Sequence, residues 1–226
     1  MTVEAVFLGI NDAGEEVYEW LNNRSDVEVK ALLTEKEQLD LVKELRPDLV
    51  ISSGFEHIVP EEILEIPEKG IVNLHPSYLP FNRGAYPYIW PIIDGSPAGV
   101  AIHYMDKGLD TGPVIARKKV ELKSDDTASS LRERLMAAQA ELFKKNWPNI
   151  YAGKEGEEQD LEKGSMHHRE DLDEVSRLDL NEEMTLEEAI GLLRGLSYGD
   201  KGLGVFEKDG KFYNLKLEVE EVNGSN

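Results

Sequence analysis

Four short apolar runs separated by helical patterns constrain this chain of 226 residues more than any other feature. VEAVFLG at 3–9, VEVKALL at 27–33, DLVIS at 48–52 and IVNLH at 71–75 each have the length of one strand. Strands that are apolar almost throughout are buried on both faces. Between the first two, Val17, Trp20 and Leu21 share one helical face of 15–21, and 37–45 reads as a second helix. This alternation predicts an α/β fold with a mostly parallel sheet, helices on both faces and right-handed crossovers. The first turn, GINDAG, lacks the G-x-G-x-x-G spacing, so it predicts a βα turn and no dinucleotide site.

Further along, GVAIHYM at 99–105 and the stretch 113–122 read as strands, and 127–147 as a long amphipathic helix. Asp126 or Thr127 is its expected N-cap, Glu133 supports its first turns, and Pro148 is expected to end it. The polar stretch AGKEGEEQDLEKG predicts a connector. The chain thus divides into a domain at 1–152, a connector at 153–164 and a small C-terminal α+β unit at 165–226. That unit is expected to hold a helix at 186–196, capped by Thr185, and a hairpin turning at Asp209-Gly210. An isolated hairpin is only marginally stable, so it must pack on that helix or on another subunit.

The candidate site begins in IVNLHP. Alternate residues of a strand point to one side, so Asn73 and His75 share a face. Pro76 and Pro80 force the chain out of the sheet just beyond, which sets both groups at a strand's carboxyl end, where open α/β sheets bind ligands. The loop after the third strand, SSGFEHIVPEEILEIPEKG, carries Phe55, Ile58 and Val59. These either pack on its short helix or wall a slot for a flat ring. Arg83, before Gly84, reads as a solvated residue or as a phosphate or carboxylate contact.

Composition narrows the chemistry. With no cysteine, thiol catalysis, thiolate metal sites and disulfides are excluded. The adjacent His167 and His168 lack a matching carboxylate or cysteine pattern, so no metal site is expected there. Acidic residues outnumber basic ones 45 to 25, for a formal net charge of −20, and no basic stripe is evident. Phosphate contacts dominate nucleic-acid affinity, so tRNA and DNA are poor partners, whereas a small nucleotide needs only one local positive pocket. The opening MTVEAVFLGINDAG has no basic stretch followed by a long apolar run, which predicts a cytoplasmic protein without membrane partners.

NLHPSYLPFNRGAYP at 73–87 followed by GLDTG at 108–112 resembles the folate-dependent formyltransferase family. HH, LDL, LLRG and the terminal hairpin are similar to the tail of its nucleotide-sugar N-formyltransferases. The resemblance implies a Rossmann-like domain that uses 10-formyltetrahydrofolate as formyl donor, with Asn73, His75 and Asp110 catalytic and no metal. It also implies donor contacts at Phe55, His57, Ile58, Val59 and Asp106, acceptor contacts at Ser77, Arg83, Gly84 and Tyr86, and a homodimer. The region between the second strand and second helix is shorter than in many members, so contacts from that loop are not carried over.

The side chains fit that chemistry on their own terms. Formyl transfer to an amine passes through a tetrahedral intermediate whose oxygen becomes negative and needs donors aimed at it. Asn73 offers an amide N–H, His75 can donate or take the amine proton, and Asp110 can orient and charge-stabilise His75. Three acceptors compete: a nucleotide-linked amino sugar, methionyl-tRNA and glycinamide ribonucleotide. The resemblance implies a larger C-terminal β-barrel for the tRNA enzymes and no such tail for the glycinamide enzymes, so the short, acidic, hairpin-ended tail here points, within that family, to a dTDP- or UDP-linked sugar such as a 4-amino-4,6-dideoxyhexose. Methionyl-tRNA formyltransferase, a formyltetrahydrofolate hydrolase and a folate-binding protein without transfer activity are the alternatives.

Overall fold

A computed structural model describes residues 2–222. The N-terminal half runs β1 (Val3–Leu8), α1 (Asp12–Asn22), β2 (Val27–Leu33), α2 (Asp40–Leu45), β3 (Leu49–Ser53), α3 (Glu61–Leu64) and β4 (Ile71–His75). Then come β5 (Arg83–Gly84), α4 (Trp90–Asp94), β6 (Gly99–Tyr104), β7 (Val114–Lys119) and α5 (Ala128–Tyr151). The C-terminal part holds β8 (Met166–His167), α6 (Arg169–Val175), α7 (Leu186–Gly195), β9 (Gly204–Lys208) and β10 (Lys211–Leu215).

The main sheet has the order β2-β1-β3-β4-β6-β7. The first four strands are parallel, and β6 runs antiparallel to both β4 and β7. The sheet is therefore mixed and mostly parallel, as expected. Strand alternation sorts the core into two layers: Ala5, Phe7, Leu49, Ile51, Val72 and Leu74 meet α1 and α5, while Val6, Leu8, Val50 and Ile71 meet α2 and α3. Asn73 and His75 continue the Ile71 row, so they lie on the face away from α5. The β1/β3 pair is where the chain changes direction of travel across the sheet, the point at which such folds open a crevice beyond the strand ends.

Thr127, and not Asp126, caps α5: its hydroxyl accepts from Ser130 N, and Ser130 reaches back to Thr127 N. Asp126 is buried instead, taking hydrogen bonds from Lys123 N and Ser130 Oγ and pairing with Arg134. Glu133 is exposed. Pro148 does not end the helix, which runs on to Tyr151. Only one N–H is lost there, close to the helix end, and burial of Trp147 and Ile150 against the sheet offsets it. The expected second helix at 37–45 divides into a 3-10 turn, Lys36–Gln38, and the shorter α2. Thr127→Ala is expected to lower stability by about 1 kcal/mol and Tm by about 2–4 °C. A thermal melt unchanged within error would show that Thr127 does not carry the cap.

The connector is pinned down along its length, although its polarity reads as loose chain. Val114 and Glu157 exchange both backbone hydrogen bonds at 2.8 Å, and Tyr104 Oη donates to Lys154 O. Beyond it, β8 pairs with β5, and Leu172, Leu178, Leu192, Leu196 and Leu203 share a cluster with Ile89 and Trp90. Asp209 and Gly210 both take positive φ at the tip of the β9–β10 hairpin, as a two-residue type I′ turn requires. The hairpin joins its own unit through Leu178 and Val205, yet Phe212 remains 74% exposed and Leu186, on α7, 77% exposed.

Candidate active site

A cavity of about 1020 Å³ opens beyond the carboxyl ends of β1, β3 and β4. Its walls come from 10–12 after β1, 54–59 after β3, the 84–88 turn, the 105–110 loop, Arg132 and Met136 of α5, and 167–170. Asn73, His75, His103 and Asp110 meet at its polar end.

Register explains the first contact. Asn73 stands directly opposite His103 in the antiparallel β4/β6 pair, which brings Asn73 Nδ2 to 3.1 Å from His103 Nε2. His103 Nδ1 lies 2.8 Å from the carbonyl of Tyr104 and donates to it, while its Nε2 faces both Asn73 Nδ2 and the Asp110 carboxylate. The Asn73 amide nitrogen stands between the two. Its second hydrogen has only a longer partner, Asp110 Oδ1 at 3.4 Å.

Asp110 sits in GLDTG with φ +53°, a left-handed conformation that Asp tolerates better than most residues. Asp106 holds the loop in shape by accepting from Gly108 N and Thr111 Oγ1. The Asp110 carboxylate faces His75 Nδ1 at 3.5 Å and His103 Nε2 at 3.4 Å, and it accepts from Gly84 N at 2.9 Å. Gly84 has φ +86°, and a Cβ there would stand 2.3 Å from the His167 carbonyl, so no side chain fits where this N–H is offered. Burial pushes the Asp110 carboxyl up, but charge attraction to His75, both interactions with His103 and the Gly84 N–H outweigh it. The net position is well below the usual carboxylate range, and Asp110 stays ionised.

His75 has an acceptor at each ring nitrogen: Asp110 Oδ2 at Nδ1, and the Asn82 carbonyl 3.3 Å from Nε2. A neutral imidazole can donate to one of them only, whereas an imidazolium satisfies both. Burial nevertheless pulls its pKa below the ordinary histidine value. Asp110 opposes that shift, His103 adds to it and the Asn82 carbonyl opposes it. The resting ring is neutral at neutral pH, in an environment ready to accept a proton.

Of the other residues expected at the site, Phe55, His57, Ile58, Val59 and Asp106 all line the cavity, as do Gly84 and Tyr86. Phe55 and His57 meet edge to face at 5.2 Å, and Ile58 is 83% exposed at the cavity wall. Phe55 and Val59 also pack on the α2/α3 layer, as the packing reading expected. Ser77 and Arg83 stand outside the lining. Ser77 is fully enclosed, and Arg83 Nε turns toward the Ser165 carbonyl. Beyond Pro76 the chain has left the sheet, so strand alternation no longer sets side-chain direction. His168 caps α6 with Asp171, and His167 stacks on Trp90 at 4.0 Å. Among the described residues no cluster is arranged to hold a metal ion, and no helix is long and apolar enough to cross a membrane. His103 and Gln159 are the residues that sequence reasoning missed. A lone histidine within an apolar strand was the available signal for the first.

Residues 19–146 match the formyl transferase family, and residues 171–221 match the N-formyltransferase dimerization C-terminal domain. The first match covers more than half of the chain, which therefore belongs to the formyl transferase family. Within it, the chain is 43% identical over 120 residues to methionyl-tRNA formyltransferase of Clostridioides difficile, covering 53% of this chain and 39% of that one. It is 34% identical over 157 residues to dTDP-4-amino-4,6-dideoxyglucose formyltransferase of Mycobacterium tuberculosis, covering 69% of this chain and 65% of the relative. The matches thus span less than two thirds of these relatives' lengths. Among solved structures, the formyltransferase PseJ of Anoxybacillus kamchatkensis superposes with a TM-score of 0.66 at 34% identity. The match covers 76% of this chain and 88% of that one, whose structure is a complex with UDP-4,6-dideoxy-4-formamido-L-AltNAc and tetrahydrofolate.

Proposed function

We propose that this chain transfers the formyl group of 10-formyltetrahydrofolate to the amine of a nucleotide-linked 4-amino-4,6-dideoxyhexose, with Asn73, His75 and Asp110 as its catalytic residues. The observation that carries the reading is their convergence at one end of a cavity walled on another side by Phe55, His57 and Ile58. In this reading the pterin lies against that wall, with Val59 behind it and Asp106 beside it. Gly84 and Tyr86 face the acceptor. As the amine nitrogen bonds to the formyl carbon, the carbonyl oxygen takes the negative charge and Asn73 donates its loosely engaged amide hydrogen to it. His75 accepts the proton that the amine nitrogen gives up, directly or through one water, and Asp110 supports the imidazolium. The intermediate collapses by breaking the bond from the formyl carbon to N10, and the proton held by His75 passes to N10 as it leaves, which returns the imidazole to its neutral form.

Two observations favour a sugar acceptor over tRNA. The matched C-terminal part is a dimerization domain, and the net charge of −20 opposes a polyanion. The two sugar-acting relatives are each 34% identical, one over 69% of this chain and the other over 76%. The exposed apolar side chains of α7 and β10 fit a homodimer contact. Incubation with 10-formyltetrahydrofolate and dTDP- or UDP-linked 4-amino sugars is expected to yield a formamido sugar, read by mass spectrometry. Formyl-methionyl-tRNA in place of formylated sugar would reverse the choice of acceptor. Formate released without any amine would make the chain a hydrolase.

A further inference from the structure

The connector and the residue just after it reach back into the site at two points, and each holds one of the two acceptors that flank His75. Gln159 Nε2 donates to the carbonyls of Asp110, at 2.9 Å, and Gly112, at 2.7 Å. Two carbonyl oxygens require the amide's NH₂ end, so the orientation of Gln159 is unambiguous. These bonds span the left-handed Asp110 on its C-terminal side. Immediately after the connector, Ser165 Oγ accepts from Asn82 N at 2.9 Å and donates to Asn82 Oδ1 at 3.0 Å. Asn82 is also left-handed, with φ +53°, and is fully buried; its carbonyl faces His75 Nε2. Between the two points, the Val114–Glu157 pairing and the Tyr104–Lys154 contact fix the path of the chain. At its end, Gly164 passes so close to the Pro80 carbonyl that a Cβ would lie 2.1 Å from that oxygen.

We propose that Gln159 and Ser165 are positioning residues for His75, acting through Asp110 and through Asn82 respectively, so that the connector sets the geometry in which this histidine gains and loses its proton. The inference rests on His75 being the proton acceptor of the reaction proposed above, but the placement of its two partners can be measured apart from any reaction. Both left-handed residues need outside support, because that backbone conformation is unfavourable for residues with a Cβ. The supporting bonds come from a polar segment that touches the main sheet's backbone at the Val114–Glu157 bridge. The titratable groups facing the His75 ring are Asp110 and, edge-on with 6.2 Å between ring centroids, His103.

The test uses the full chain with 13C- and 15N-labelled histidine, the His75 signal being identified by its loss in His75→Asn. In Gln159→Met, Asp110 loses its anchor and His75 is expected to titrate at lower pH than in the unsubstituted protein. Gln159→Leu, which also removes both donors and adds no charge, is expected to act the same way. Ser165→Ala is expected to give the same sign, and Ser165→Thr, which keeps the hydroxyl, to restore the original titration. In the formyl-transfer assay, kcat is expected to fall by up to about 10²-fold while KM for the formyl donor holds. A His75 titration unmoved in both Gln159 variants and in Ser165→Ala overturns the proposal, even if turnover falls. If the unsubstituted protein formylates no acceptor, the reaction assigned above fails, and the titration still decides the clamp.

Discussion

Asp110→Asn is expected to lower turnover by about 10³- to 10⁴-fold, the scale seen when an imidazole loses the carboxylate that orients it. The amide keeps the size of the side chain and can still accept from Gly84 N through its oxygen, so the loop need not move. What it removes is the negative charge beside His75 Nδ1. The pH profile separates this from a general loss of structure. In the proposed reaction His75 is the base, so the rate is full above its pKa and declines as pH falls through it. Burial already places that decline below the ordinary histidine value of about 6.5. Asp110 opposes the effect of burial, so its loss moves the acid limb to still lower pH. Asp110 itself contributes no limb near neutrality, being ionised well below that range. The measurement is kcat from about pH 5 to 9 in both proteins. An acid limb at the same pH in both would mean that Asp110 does not act through His75.

Asn73→Ala is expected to cost about 10²- to 10³-fold in kcat, as for the loss of one oxyanion donor. Because the bond is made to charge that develops only during the reaction, kcat and kcat/KM are expected to fall together. A rise in KM with kcat preserved would reassign Asn73 to ground-state binding. Asn73 is buried and shares the strand with Val72 and Leu74, but its side chain belongs to the polar cluster and not to the apolar layers. Melting temperature is therefore expected to change much less than turnover.

Much of this arrangement is legible in the residue order because it rests on local rules. IVNLH begins and ends as β4 does, since a buried strand bounded by Gly70 and Pro76 leaves little freedom at either end. Asp209-Gly210 marks its turn for the equally local reason that both residues accept positive φ. His103 is different. Its place opposite Asn73 depends on β6 entering antiparallel beside β4, a pairing between segments about 30 residues apart that neither segment encodes alone. Arg83 and Ser77 were hidden for a related reason: a chain that has left the sheet has no period from which to read direction. The connector misleads most. Its charged, apolar-poor composition says that it buries little, and it does bury little, but its hold on the site runs through backbone carbonyls and amides that composition does not register. Pro148 shows the opposite error, a strong local signal overruled by the packing of Trp147 and Ile150.

The stacked rings of Trp90 and His167, with the Ala85–His167 backbone bond beside them, give the molecule a seam that joins its two halves at the cavity's edge. For anyone building chimaeras to alter acceptor choice, the splice point follows from that seam. A graft cut at the end of α5 would take the connector away from the loops it holds and leave a foreign one to find Asp110 and Asn82. A cut placed in the 176–185 region, beyond α6, would carry residues 154–175 along with the N-terminal part and exchange only α7 and the hairpin. Swaps of the second kind leave the bonds from Gln159 and Ser165 to the surroundings of His75 in place.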